Sequence, residues 1–167
     1  DKAYLNKEQI NKIASADLPE VDELGRAWFV LACRTGLRYS DVSKLKMSDI
    51  VVVQGQDMIK LSTTKTNEPI FIPISKETKS FAEIAATSSY SNNKAGKAIK
   101  RICKRVFEDI QVSVSFSKGD RLEHASLPLH DVISFHSARR SFITNGLMSG
   151  IPERLIMDIT GLSRSTI

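Results

Sequence analysis

VVVQGQDMIKLSTTKTNEPIFIPI, residues 51–74, interrupts a chain that is otherwise patterned for helix. Its apolar and β-branched runs are VVV at 51–53, MIKLS at 58–62 and IFIPI at 70–74. Between them lie QGQD and TKTNEP, polar segments bearing the glycine and proline that end strands. Three short runs joined by short turns predict a three-stranded antiparallel sheet. With helix on both sides, the fold class is mainly α with a small antiparallel three-stranded β-sheet, an α+β domain.

Upstream, NKEQINKIA predicts a short helix capped by Asn6, broken by SADLPE. Val21, Leu24, Trp28, Leu31 and Ala32 then recur at helical spacing between Glu20 and Arg34, and Gly36 supplies the stop. Ser40 is placed to cap a further helix, SDVSKLKMSD. Downstream of the sheet, KETKSFAEIAA predicts helix from Ser75, and a longer helix runs from about Lys94 to Ile110. Residues 112–134 mix a possible strand (VSVSF), a turn at Lys118–Asp120 and a loop around Pro128, so they are expected to be mostly irregular. Two helices, His136–Met148 and Pro152–Thr160, close the chain.

A chain of 167 residues, 41% hydrophobic, is sized for one core, so residues 1–167 are expected to form a single domain. No run approaches the roughly 18 apolar residues of a membrane span, and DKAYLNKEQI lacks the layout of a secretion signal. The expected location is cytoplasmic. Cys33 and Cys103 sit inside apolar helical patterns, which suits buried thiols better than a disulfide or a metal site. The formal charge is +5, yet residues 1–25 hold six acids against three lysines, so the remainder holds +8. That bias suits a polyanion, because each cation placed on a phosphate releases condensed counterions.

Three separated pieces stand out as a set: TGLRYSDVSKL at 35–45, TTKTNEPIFIPI at 63–74 and HSARRSF at 136–142. In this order they resemble the tyrosine recombinase, or phage-type integrase, family. That family has an arginine in a T-G-L-R-x-S-[DE] helix start, a lysine on a β-hairpin, and an H-x-x-R pair. The resemblance runs from Asn6 to Thr166 and includes GIPERLIMDITGLS. It implies a catalytic-domain fold in which Arg38, Lys65, His136 and Arg139 are catalytic. It also implies site-specific DNA recombination or integration through a covalent 3′-phosphotyrosine, for a mobile element or prophage, with duplex DNA as partner.

Elementary chemistry agrees with those roles. Attack on a phosphodiester builds negative charge on the non-bridging oxygens, and two guanidiniums can hold both with charge-assisted bonds. Losing one such donor costs about 2.7–4 kcal/mol of barrier, by analogy with oxyanion holes. A hairpin lysine can protonate the departing 5′ oxygen, and a histidine can take the nucleophile's proton. No metal or other cofactor is required. His136 and Arg139 are i and i+3 on one helix face, while Arg140 points elsewhere, as a surface or DNA-backbone residue. Asp41 is read as structural support for the helix start.

The resemblance has two departures. The family continues from Gly-His or Gly-Trp to its tyrosine nucleophile, whereas this chain has Gly161-Leu162, and leucine donates no hydrogen bond. Counting onward places that tyrosine at about position 171, and none of Tyr4, Tyr39 and Tyr90 has the right context. The chain is therefore expected to lack an N-terminal DNA-clamping domain and the C-terminal tyrosine segment. It is expected to bind DNA weakly, cleave nothing and be monomeric, with self-association on DNA left to the full-length protein. A non-catalytic DNA-binding relative and a type IB topoisomerase remain as alternatives. In KAGKAIKRICKRVF, Lys94, Lys97, Arg101 and Lys104 form one stripe, which either faces DNA or is a solvated face over a buried apolar one. His124 and His130 lack the carboxylate or cysteine pattern of a metal site.

Overall fold

Asn6 starts the first helix through a reciprocal cap. Its Oδ1 accepts from the Gln9 N–H at 2.8 Å, and Gln9 Oε1 accepts from the Asn6 N–H at 2.9 Å. This computed structural model describes residues 3–62 and 68–164. α1 (Lys7–Ser15) is followed by α2 (Glu20–Thr35), which carries Trp28, Phe29, Val30, Leu31 and Ala32 in unbroken burial. A helix apolar on every side belongs in the middle of a core, and α2 packs against α4 (Lys76–Ala86), α5 (Asn92–Val106) and α7 (Ser137–Met148). Val21, counted in the apolar pattern, is instead 69% exposed at the first turn.

The chain leaves α2 at Gly36, whose backbone is left-handed (φ 75°). A Cβ there would stand 2.5 Å from a ring carbon of Phe142 on α7, so glycine is required both by the turn and by the close approach. α3 is only Tyr39–Ser43, and a 3-10 turn follows at Met47–Asp49. The helix expected to be capped by Ser40 is instead capped at Arg38, two residues earlier, and ends sooner. The Asp41 carboxylate takes the Arg38 N–H at 3.0 Å and defines the start, and the chain then turns to bury Leu45.

β1 (Ile50–Val53), β2 (Gln56–Ser62) and β3 (Pro69–Pro73) form the predicted antiparallel sheet in that order. A two-residue turn, Gln54-Gly55, with positive φ at both positions, joins the first pair. Ser75 and Ser91 cap α4 and α5 by accepting the Thr78 and Lys94 N–H groups.

The segment expected to be irregular is a second sheet. β4 (Gln111–Lys118) and β5 (Arg121–Pro128) pair antiparallel from Gln111↔Pro128 to Lys118↔Arg121 around a Gly119-Asp120 turn. RLEHASLP has almost no strand propensity of its own, so it becomes a strand through its partner. α6 (Leu129–Val132), α7 and α8 (Glu153–Thr160) complete the chain, α8 ending at left-handed Gly161. Among the described residues no helix is long and apolar enough to cross a membrane.

Four aromatic rings join α2, α3 and the chain entering α7. Trp28 and Phe29 of α2 contact Tyr39 and Phe135 respectively, and Tyr39 meets Phe135 edge-on at 5.9 Å. From the other end, Leu5 donates its N–H to Ser141 Oγ and accepts from Asn145 Nδ2, which straps the N-terminal segment to α7.

Candidate active site

Arg38 stands immediately before α3 with an exposed side chain, and Arg139 lies in the first turn of α7 at 4% exposure. Both line one open cleft of about 1150 Å³, walled by the α3 turn, β2, the start of β3 and the end of α8. Among the described residues Arg139 is held by two backbone carbonyls. Its Nη1 donates to the Gly36 carbonyl at 3.0 Å, and its Nη2 donates to the Thr160 carbonyl. The Thr160 oxygen belongs to the last turn of α8 and the Gly36 oxygen lies just past α2. Such carbonyls lack intrahelical partners and carry the negative end of a helix dipole.

A guanidinium has five N–H donors, so two carbonyl bonds leave donors to offer into the cleft. Among the described residues no carboxylate lies within 4.0 Å of the Arg38 or Arg139 side chain. Burial pushes the Arg139 pKa down to about 10; the neighbouring Arg38 charge lowers it too, and Asp41 opposes them. At neutral pH it keeps its proton. The cleft thus holds two neighbouring cations without a bound acid, an arrangement suited to a phosphate oxygen pair.

His136 precedes α7 with an exposed side chain, adjacent in sequence to Phe135 of the ring cluster. It is not among the residues lining the cleft. Lys65 lies outside the described residues. Asp41 lines the cleft but its carboxylate is occupied by the Arg38 N–H. Leu162 lines it too, half-buried, with its own N–H turned to Thr160 Oγ1 at 3.4 Å.

The helix α5 splits as its pattern predicts, with Ala95, Ala98, Ile99 and Ile102 buried and Lys94, Lys97 and Lys104 exposed. Arg101 departs from that stripe. Its Nε and Nη2 donate to Asp22 Oδ1 at 3.0 and 2.7 Å, and Asp22 is 5% exposed. A buried carboxylate needs a partner, so Arg101 serves the α2–α5 interface. Arg140 is half-buried on α7. His124 Nδ1 sits 2.9 Å from Ser115 Oγ across the β4–β5 hairpin, and His130 Nε2 is 3.5 Å from Asp131.

Three lysines that motif reading passed over also line the cleft: Lys44, Lys46 and Lys60. Their available signal was position, since Lys44 and Lys46 flank Leu45 directly after the Arg38 motif and Lys60 alternates with buried Ile59.

Residues 3–167 match the sequence model described as the Phage integrase family. No curated protein matches the chain in sequence. Among solved structures, the chain is similar to the XerH site-specific recombinase in a post-cleavage complex with palindromic difH substrate. That match has TM-score 0.64 and 16% identity, over 98% of this chain and 47% of that one. The Tn1549 transposon integrase, in complex with circular intermediate DNA, matches at TM-score 0.64 and 17% identity over 99% of this chain and 59% of its own. A lambda integrase dimer bound to a COC′ core site matches at TM-score 0.58 and 20% identity, again over 99% and 59%. The chain therefore spans about half to three-fifths of these relatives, and the likeness establishes the fold of their shared region.

Proposed function

The chain belongs to the phage integrase family, and we propose that it forms the catalytic domain of a tyrosine-type DNA strand transferase in site-specific recombination or integration for a mobile element. The observation that carries this reading is the pair Arg38 and Arg139 in one cleft, charged and without a carboxylate partner among the described residues. The DNA-bound states of the XerH, Tn1549 and lambda relatives support duplex DNA as the partner.

In this reading the scissile phosphate enters the cleft and its non-bridging oxygens take N–H bonds from Arg38 and Arg139. A tyrosine hydroxyl of the complete protein attacks phosphorus, and His136 accepts its proton. The phosphorus–oxygen bond to the 5′ side breaks, and Lys65 protonates that oxygen. The 3′-phosphotyrosine keeps the bond energy, so a 5′ hydroxyl can reverse the step without a nucleotide cofactor. Lys94, Lys97 and Lys104 would face backbone phosphates away from the reaction. Self-association of the complete protein on DNA belongs to the same reading, with the isolated chain monomeric.

Leu162 favours a second reading, a DNA-binding relative without chemistry, because it puts an apolar side chain where a donor would face the phosphate. Covalent capture separates the two. The complete protein is incubated with fragmented DNA of its host and denatured, and protein-linked DNA ends are recovered. Adducts that vanish in Arg38→Ala and Arg139→Ala support the strand transferase. Duplex binding with no adduct supports the second reading.

A further inference from the structure

We propose that Lys44, Lys46 and Lys60 form a second phosphate-binding arc in the cleft of Arg38 and Arg139, holding the DNA backbone beside the phosphate that reacts. The inference rests on the reading of the cleft as a DNA site. Lys44 ends α3, Lys46 precedes the 3-10 turn, and Lys60 lies in the middle of β2, opposite Phe71 of β3. Two pieces of backbone distant in sequence therefore contribute the three lysines to the lining of one cleft.

The local structure fixes where these side chains originate. Leu45 is buried between Lys44 and Lys46 at 8% exposure, which pins the turn and leaves its neighbours at the surface. Asp49 Oδ2 accepts the Lys46 N–H at 2.9 Å and closes that turn. Lys60 adjoins Ile59, which is fully buried, so strand alternation projects it from the opposite face.

Four lysines outside the cleft are held by intramolecular partners, Lys12 by Glu8, Lys79 by Asp57, Lys7 by Ser149 and Lys100 by the Asp131 carbonyl. Lys94, Lys97 and Lys104 of α5, by contrast, have no acid within 4.0 Å among the described residues but lie away from the cleft. Among the described residues Lys44, Lys46 and Lys60 have no acid within 4.0 Å, although four carboxylates line the same cleft. Two of those four, Asp41 and Asp49, are engaged by the backbone N–H groups of Arg38 and Lys46. The division of residue types is also chemically apt. Guanidiniums fit the oxygens of one reacting phosphate, whereas lysine is a flexible point charge that follows a backbone without reading sequence.

The test compares two triple variants with equal charge loss. One is Lys44→Gln/Lys46→Gln/Lys60→Gln, and the control is Lys7→Gln/Lys12→Gln/Lys76→Gln, exposed lysines that do not line the cleft. Binding to a short labelled duplex of arbitrary sequence is titrated by anisotropy across salt concentrations, with circular dichroism confirming the fold of each variant. The cleft variant should lower the slope of log affinity against log salt by about 0.9 per lysine relative to wild type, and the control should leave it nearly unchanged. Equal slopes for the two variants would overturn the arc while leaving the DNA reading standing. A wild-type protein without salt-dependent duplex binding would overturn both.

Discussion

Tyr39 and Phe135 meet edge to face, their ring centroids 5.9 Å apart at an interplanar angle of 88°. The contact joins two positions 96 residues apart in the chain, and each ring is the sequence neighbour of a residue that the family resemblance names, Arg38 in one case and His136 in the other. Apolar packing thereby fixes the backbone next to each of these two residues. Tyr39 also donates its hydroxyl to the Tyr90 carbonyl, which ties the ring to the chain entering α5.

Tyr39→Ala should destabilise the domain by about 3 kcal/mol, the range for removing a core ring. Tyr39→Phe, which keeps the ring and loses one hydrogen bond, should cost about 1 kcal/mol. Urea midpoints of the two variants would distinguish these losses. Equal midpoints would mean that the hydroxyl, and not the ring contact, holds the site.

Gly36→Ala combines a left-handed backbone with a Cβ aimed at the Phe142 ring at 2.5 Å. We expect a loss of roughly 1–3 kcal/mol from the strained backbone and the displaced ring. The same change should disturb the Gly36 carbonyl that receives Arg139, so strand cleavage by the complete protein should fall even where the variant remains folded. Thermal melts and cleavage assays on one preparation check both parts.

Arg139→Lys retains a positive charge but not the planar fork that reaches two carbonyls at once and, in the proposed site, would also hold a phosphate. Cleavage by the complete protein should drop about 10²–10³-fold, as for loss of one preorganised donor. Duplex affinity should change much less. An equal loss in both measurements would assign Arg139 to binding alone.

Arg101→Gln removes the partner of a carboxylate that is 5% exposed, so stability should fall by about 1–3 kcal/mol. The salt slope of duplex binding should not move, because this guanidinium is already committed to Asp22. A lowered slope would return Arg101 to the DNA-facing stripe.

Burial pushes the Cys103 thiol up to about 12 and raises Cys33 well above its ordinary range. In the unfolded chain both titrate near 9. The folded state therefore holds more protons above that pH, and stability falls as pH rises. Between pH 9 and 10 each thiol should contribute a loss of up to about 1.4 kcal/mol per pH unit, partly offset as Arg139 begins to titrate toward its pKa of about 10 with the opposite sign. Denaturant titrations at the two pH values check the sign. Ellman's reagent should meanwhile find no reactive thiol in the native protein at pH 8.

Where an element depends on residues close in sequence, the chain alone specified it. Asn6 with Gln9, and the apolar face of α5, are local pairings within a few residues, and the strand runs around a two-residue turn placed β1, β2 and β3 to within two residues. The motifs around Arg38 and Arg139 were legible for the same reason, because each is a short string at a helix start. Tertiary structure decided the rest. β5 has little strand preference and forms against β4, Arg101 turns to an acid 79 positions away, and Arg139 binds a carbonyl 103 positions away. Each of these partners is chosen by distance in space, and for Asp22 and Arg139 burial makes the choice binding, since a polar group removed from water must take the partner that packing brings to it.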